Sequence, residues 1–273
     1  MSATNFQSVF PRVRIVKKLA TASALSLPIF FSVSGFAEDK DWSLTVGSDY
    51  SKGKYGDTVA TETWAYPIAL KYDLGDVTWK ASAPYVHSRG PSNVVGIGAD
   101  RIVTNQAQGA TRSVTGWGDV VASATWSFYQ NAEKRQGGDL TGKVKFGVGE
   151  KDKGLSTGED DYSVQLDGYQ SFGSVTALAT LGQKFMGDPV GIDYRDPLYA
   201  SLGVAHQLQR GTSWGAIFDW RERLTKTGAP VRELMLFFSH RLNAEFKMQA
   251  YAVKGYSDAS PDWGGGLMLN YGF

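Results

Sequence analysis

The sequence predicts an all-β fold, a single twelve-stranded antiparallel β-barrel that spans a membrane. Three observations lead to this prediction. Apolar and polar residues alternate along twelve segments, the more polar face of these segments carries many charges, and the connections alternate between short and long. The composition agrees, because 32 glycines, 13% aromatic residues and only 9 prolines favour strands joined by tight turns.

The N-terminal residues 1–37 have the pattern of a secretory signal peptide. Four basic residues precede an apolar run over 19–33, and small residues around Ala37 precede an acidic stretch. The run is short for a membrane-spanning helix and contains Pro28. The sequence therefore predicts a signal peptide over 1–37, a barrel domain over 38–273 and export to the bacterial outer membrane.

The first six strands are defined by one apolar face each, and aromatic residues lie near the ends of most of these faces. Such aromatic girdles are typical of membrane barrels at the two interfaces. The predicted outward faces are Trp42, Leu44, Val46 and Tyr50; Trp64, Tyr66, Ile68, Leu70 and Tyr72; Val77, Trp79, Ala81, Ala83 and Tyr85; Gly116, Gly118, Val120, Ala122, Ala124, Trp126 and Phe128; Leu140, Val144, Phe146 and Val148; and Tyr162, Val164 and Leu166.

The last six strands continue the pattern with three irregularities. Leu178, Met235 and Phe237 are apolar residues on faces that are otherwise polar. The predicted outward faces are Val175, Ala177, Ala179 and Leu181; Leu198, Ala200, Leu202 and Val204; Trp214, Ala216, Phe218 and Trp220; Leu234, Leu236 and Phe238; Phe246, Met248, Ala250 and Ala252; and Trp263, Leu267, Leu269, Tyr271 and Phe273.

The opposite faces carry charges that a dry core would tolerate only at high cost, whereas a wet lumen accepts them. The candidate pore-lining residues are Lys71, Lys80, Asp119, Lys143, Lys145, Asp167, Asp219 and Arg221, and the same parity adds Asp49, Glu233, Arg241 and Lys247. Two interpretations remain open. The charges could tune the selectivity of a pore, or they could neutralise one another in a salt-bridge network that fills a narrow barrel.

The connections indicate the orientation of the barrel. Short ones near 73–76, 171–174, 208–212 and 242–245 read as periplasmic turns, and only the connection near 129–139 is longer than this rule expects. The longest connection, 88–114, contains apolar residues over 94–98 and 102–103. We expect it to fold over or into the external mouth and to restrict access; the alternative is a loop that contacts lipopolysaccharide.

Four segments resemble an outer-membrane transporter family named for the MetA-pathway of phenol degradation. They are Gly116-Trp117-Gly118-Asp119, the stretch 154–158 with Asp161-Tyr162, the stretch 181–188, and the stretch 254–266. Gln183 departs from the family, which usually has Tyr there. The resemblance implies a twelve-stranded outer-membrane protein, often called a transporter near aromatic catabolism genes. Phe273 with Tyr271 also resembles the C-terminal signal read by the barrel-assembly machinery.

No convincing catalytic, metal or cofactor site is visible in the sequence. His87, His206 and His240 fall on the outward face near strand ends, where they fit an interface ring, although His87 with Ser88 or Ser113 could belong to a lipid hydrolase. No Gly-x-Ser-x-Gly elbow is present. Glu159-Asp160-Asp161 with Asp152 could bind Ca²⁺ or could form a solvated acidic loop. Cysteine is absent and the net charge is +1, which argues against thiolate metal sites and nucleic-acid binding.

The leading functional hypothesis is an outer-membrane channel for passive passage of small solutes, including aromatic or hydrophobic ones. The alternatives are a lipid-modifying hydrolase of the outer leaflet and a structural surface barrel without an open pore. The expected partners are outer-membrane lipid, lipopolysaccharide, a small-molecule solute and the barrel-assembly machinery through Phe273.

Overall fold

The structure, a computed structural model, describes residues 41–91, 94–95, 102–103 and 111–273. The signal peptide expected over 1–37 lies outside the described residues. The regular elements in the described ranges are strands and a single 3₁₀ turn at Lys151–Lys153. No helix in these ranges is long and apolar enough to cross a membrane.

Most of the strands are 10 to 14 residues long, which suits tilted strands that cross a bilayer. Their bounds are β1 Trp42–Gly53, β2 Thr61–Leu74, β3 Val77–Gly90, β4 Val94–Val95, β5 Ile102–Val103, β6 Arg112–Trp117, β7 Val120–Asn131, β8 Gln136–Phe146, β9 Asp161–Phe172, β10 Val175–Phe185, β11 Leu198–Gln209, β12 Thr212–Arg221, β13 Val231–Arg241, β14 Phe246–Gly255 and β15 Trp263–Gly272.

The main sheet closes on itself as an antiparallel ring with twelve positions. Each strand pairs with its neighbours in sequence, and the first strand β1 pairs with the last strand β15 from Ser43↔Gly272 to Lys52↔Trp263. β6 pairs with the half of β3 that ends at Gly90, and β7 pairs with the half that begins at Val77. β6 and β7 therefore share one position in the ring, and β6 adds no thirteenth position. The predicted twelve-stranded barrel is therefore confirmed, including the adjacency of the Trp42 and Phe273 ends.

The predicted faces are observed in almost every strand. Outward residues are exposed along the wall, as with Ile68, Leu166 and Leu202, whereas their sequence neighbours are buried inside. Outward rings also contact one another near the strand ends: Trp42 stacks on Tyr72 with ring centroids 4.4 Å apart, and the corresponding distance for Phe246 and Tyr271 is 4.9 Å. The apolar band between these girdles is the surface that a bilayer would cover.

The fourth strand position departs from the prediction, which placed Gly116 and Gly118 on the face of Val120. Trp117 is exposed on the outside, opposite Tyr85, and Gly116 faces inward. The register with β3 shifts by one residue between β6 and β7, so that Gly118 and Asp119 form a bulge. A bulge reverses the parity of every residue beyond it, and a strict alternation cannot reveal it.

The connection near 129–139 is also shorter than the sequence indicates. Asn131 pairs with Gln136, which leaves a turn over 132–135, and the side chain of Asn131 accepts a hydrogen bond from the backbone N–H of Lys134 at 2.8 Å. Gly137 and Gly138 already belong to β8, where glycines hide the alternation. The five hairpin turns after β2, β7, β9, β11 and β13 lie at one end of the barrel, which we call the periplasmic end. All five are short, as the alternation of connection lengths predicts.

We predict that Leu236→Arg weakens folding into a bilayer by about 2–4 kcal/mol, because Leu236 lies near the middle of β13 on the lipid-facing side. The matched control is Met235→Arg, at the adjacent inward position. Urea titration of the protein in liposomes measures both changes. Equal losses for the two variants would contradict the assignment of the faces.

Candidate functional site: the barrel lumen

The structure places the side chains of the predicted pore-lining residues on the inner side of the wall. They do not form one uniform lining. One group forms a basic arc toward the periplasmic end, a second group is engaged in hydrogen bonds and ion pairs at the external end, and acidic residues form cross-strand pairs. Each group has its own physical consequence for the lumen.

The basic arc comprises Lys71, Lys80, Lys143, Arg241 and Lys247. Lys71 and Lys80 are direct cross-strand partners, and Ser123 separates Lys80 from Lys143. Lys80 lies within electrostatic range of both lysines, and Lys247 lies within range of Lys71 and Arg241. Lys71 is ion-paired with Asp73 at 2.6 Å, whereas Lys80 takes part in none of the ion pairs observed among the described residues. The arc thus places five basic side chains in the same half of the lumen.

Lys145 holds the external end of the barrel together instead of facing an open lumen. Its Nζ lies 3.1 Å from Asp119 and 3.0 Å from Asp161, and all three side chains are about nine-tenths buried or more. The other oxygen of Asp119 accepts a hydrogen bond from the backbone N–H of Gly149 at 3.0 Å. The bulge at Gly118-Asp119 therefore aims the carboxylate that anchors the loop over 147–160.

Glycine in the motif 116–119 makes room for a second anchor of the same loop. A Cβ on Gly116 would lie 1.9 Å from the Glu150 carboxylate, and a Cβ on Gly118 would lie 2.9 Å from Pro84. Glu150 accepts the backbone N–H of Trp117 at 2.8 Å and pairs with Lys153 at 2.5 Å. Hydrogen bonds from Lys153 and from Trp117 lower the pKa of Glu150.

The acidic lumen residues occur as cross-strand pairs. Asp167 lies opposite Asp139, and Asp219 lies opposite Glu233. Asp167 accepts hydrogen bonds from Gln165 and Thr180, the latter at 2.6 Å. Asp139 is fully buried, and the sequence analysis did not single it out because it lay in the presumed connection. Like charges adjoin one another in these strand pairs, and both alternatives that the sequence left open, a selective pore and a salt-bridge network, stay predictions.

An apolar layer on one side of the lumen is the main feature that the sequence reasoning missed. Buried residues from five neighbouring strands contact one another, and three partly buried residues pack against them. The buried members are Ala205, Ile217, Phe237, Tyr251 and Met268, and the partly buried ones are Leu178, Met235 and Val253. The three apolar residues that broke the alternation in the sequence, Leu178, Met235 and Phe237, all belong to this layer.

Inward aromatic rings lie over glycines of the adjacent strand. The directly paired residues are Tyr169 with Gly137, Tyr199 with Gly182, Phe237 with Gly215, and Tyr251 with Gly266. A Cβ on any of these glycines would come within 2.2 to 2.6 Å of the partner ring. The missing side chain thus lets each large ring lie against the wall instead of projecting across the lumen, which explains part of the high glycine content.

The lumen is narrow. Several inward side chains, including Thr141, Gln165 and Gln249, are at most 1% exposed, because neighbouring side chains cover them. Other inward residues, among them Lys80, Met235 and Lys247, remain partly exposed. These partly exposed residues border the space that is left inside the barrel, and they include some members of the basic arc and some of the apolar layer.

Ile102, in the longest connection, contacts loops of other strands at the external mouth. Ile102 is 3% exposed and packs with Tyr194 and Leu224, in the loops after β10 and β12. The loop after β12 lies six ring positions from the β3 connection that carries Ile102. Burial raises the pKa of Tyr194 to about 12. The contact of Ile102 agrees with a segment that folds over the mouth, but restriction of access stays a prediction, because most of 92–110 lies outside the described residues.

The histidines lie on the outward face near strand ends, as expected. The ring of His87 forms its hydrogen bond with Thr115 at 2.7 Å, and that of His240 with Thr212 at 2.8 Å. Ser88, one candidate nucleophile, forms a hydrogen bond with Thr63. The hydrolase hypothesis gains no support from these contacts.

The acidic loop near 159–161 is engaged in internal contacts. Asp160 accepts the backbone N–H of Gly147 at 2.8 Å, and Asp161 accepts that of Gly187 at 3.0 Å in addition to its ion pair with Lys145. Within the described ranges, no three His, Asp or Glu side chains come together as a set that could hold a metal ion. The Ca²⁺ interpretation therefore lacks a ligand set in this part of the chain.

Solved structures with the same fold are outer-membrane barrels. The COG4313 outer membrane channel from Pseudomonas putida F1 superposes with a TM-score of 0.67 at 13% identity, over 87% of this chain and 97% of that one. The KdgM porin gives 0.53 at 8% identity over 85% and 99%. The transport unit of the autotransporter AIDA-I from Escherichia coli gives 0.54 at 11% identity over 86% and 91%.

These similarities show the class of fold, a closed antiparallel β-barrel of the kind found in outer-membrane proteins, and they confirm the architecture that the family resemblance implied. A porin and an autotransporter unit superpose about equally well, so the fold alone does not assign a function. No protein-family model matches the sequence. No curated protein is similar to it either.

We predict that Gly266→Ala destabilises the barrel by about 1–3 kcal/mol, because the added methyl group overlaps the ring of Tyr251 and the neighbouring wall must shift. Gly168→Ala is the matched control, since a Cβ there meets nothing within 4 Å. Urea titration in liposomes compares the two. If Gly266→Ala left the free energy of unfolding unchanged, the ring of Tyr251 would not need its position over the glycine.

Proposed function

We propose that this protein is an outer-membrane channel for the passive passage of small solutes. The observation that carries the proposal is the closed ring whose inner wall keeps charged and apolar residues partly exposed around a narrow lumen. A sealed structural barrel would have no need to leave lysines accessible inside. The similarity to solved channels and porins supports the proposal at the level of the fold.

The finer proposal concerns the solutes, which we expect to include aromatic or hydrophobic ones. The partly exposed edge of the apolar layer supports it, because Leu178, Met235 and Val253 present apolar surface on the inner face of the wall. The proposed lining of the pore remains the set predicted from the sequence, in which Lys145 also anchors the external loop. Its members are Lys71, Lys80, Asp119, Lys143, Lys145, Asp167, Asp219 and Arg221. Phe273 remains the proposed contact with the barrel-assembly machinery, and outer-membrane lipid and lipopolysaccharide the proposed surroundings.

The test is conductance of the purified protein in planar bilayers. We expect discrete channels in KCl, and we expect Lys80→Glu with Lys143→Glu to shift the reversal potential toward cation selectivity, because the lumen loses positive potential. The matched control is Lys226→Glu, on an exposed external loop. Correctly folded protein that never conducts would overturn the channel proposal and favour the structural alternative.

A second prediction concerns the mouth. Deleting residues 92–108 removes Ile102 from its contact with Tyr194 and Leu224, and single-channel conductance should then rise because an obstruction is lost. Ile102→Asp, which disrupts the same contact without shortening the chain, should act in the same direction. Unchanged conductance in two folded variants would mean that this segment does not restrict the path.

A further inference from the structure

The loop between β8 and β9 turns into the barrel at its tip. The three consecutive residues 155–157 are buried, although they belong to an external connection. Leu155 forms one apolar cluster with Ala65 of β2 and Val86 of β3, and Val114 packs against this cluster. Ala65 and Val86 are direct cross-strand partners on the inward faces of their strands. The tip of the loop therefore lies against the inner wall of the barrel.

This contact lies well below the external mouth. Ala65 is four residues from the external end of β2, and Val86 is four residues from that of β3. With about 3.3 Å per residue along a strand tilted by about 40°, the contact lies roughly 10 Å inside the barrel. β3 and β2 are two and three ring positions from β8. The chain thus leaves the wall at β8, reaches it again at β2 and β3, and returns to β9 through the interior.

The returning half of the loop is fixed to the wall by Lys145. Its ammonium group donates hydrogen bonds to the hydroxyl oxygen of Thr157 at 3.3 Å and to the carbonyl oxygen of Glu159 at 3.1 Å. The same group forms the buried ion pairs with Asp119 and Asp161. Because these charges are costly to separate inside the protein, the loop is held in its inward position.

Two glycines bracket the buried tip. Gly154 and Gly158 have φ angles of +73° and +77°, in the left-handed region that glycine adopts without strain. A Cβ on Gly158 would come within 2.5 Å of the side chain of Lys151. The hydroxyl oxygen of Ser156 accepts a hydrogen bond from the backbone N–H of Gly158 at 2.8 Å. The stretch 154–158, one of the four that carry the family resemblance, therefore forms a compact turn that directs Leu155 to the wall.

From these contacts we infer that the loop over 147–160 forms a constriction inside the external half of the lumen, in which Leu155 determines the size of the solutes that pass. The inference rests on the proposed channel function and adds the segment that limits the path. The contact of Ile102 with Tyr194 and Leu224 is made among the loops of the mouth. The constriction at Leu155 is a separate and deeper one.

The position of the loop can be tested without any measurement of transport. The chain contains no cysteine, so a single introduced thiol is the only one present. Val86→Cys places a smaller side chain at a position that is 3% exposed, and it should react slowly with a charged thiol reagent that does not cross membranes. Adding Leu155→Asn should remove this protection, because the buried amide would lack hydrogen-bond partners and the tip would leave the wall.

The matched control is Val190→Asn, which makes a similar exchange at a fully exposed residue of the loop after β10 and should leave the thiol protected. Neither exchange alters the charge of the protein. Equal reaction rates of Val86→Cys with and without Leu155→Asn would refute the proposed cover of the wall.

The effect on the path is measured on the full purified protein in planar bilayers, as single-channel conductance in KCl with polyethylene glycols of graded mass. Leu155→Asn should raise the conductance and should admit larger polymers than the parent protein admits, because an obstruction leaves the lumen. Leu155→Ala, which shortens the side chain and adds no polar group, should act in the same direction. Val190→Asn should change neither quantity.

The two measurements separate this inference from the channel proposal. If the parent protein conducts but both Leu155 variants keep its conductance and its polymer cut-off, the constriction is refuted while the channel stands. If the folded parent protein never conducts, the channel proposal fails and the constriction with it. The reaction rates of the thiol then still decide whether the tip covers the inner wall.

Discussion

Closure of the backbone hydrogen-bond ring is the constraint on which the rest of this structure depends. Lipid offers no partner to an exposed N–H or C=O group, so a sheet can cross a bilayer only without edges. The pairing of β1 with β15 removes the last edge. Once the ring is closed, every strand has one face toward lipid and one toward a confined interior, and the sequence must satisfy both.

The confined interior explains the glycines. A ring of twelve strands leaves little room, and large inward side chains would meet one another across it. Tyr199 and Phe237 avoid this by lying over Gly182 and Gly215 of the adjacent strands. The lumen can therefore hold large aromatic residues against its wall and retain partly exposed lysines.

The external end is organised by a few buried charges. Lys145 joins Asp119 of the bulge to Asp161 at the start of β9, and the loop between β8 and β9 is held by these contacts. A buried ion pair of this kind is costly to break, because either partner alone would be left unpaired. The external mouth is thus bordered by these anchored loop residues on one side and by the contact of Ile102 with Tyr194 and Leu224 on the other.

The sequence by itself determined the number of strands, most of their faces and most of the inward charges, because a period of two follows directly from the geometry of an extended chain. It did not reveal the bulge at Gly118-Asp119 or the short turn over 132–135, because glycine carries no side chain to mark a face. Only the tertiary structure decided that Leu178, Ile217, Phe237 and Tyr251 form one layer and that Lys145 is an anchor. These are relations between strands far apart in the chain, and they depend on register and ring closure, which no local pattern contains.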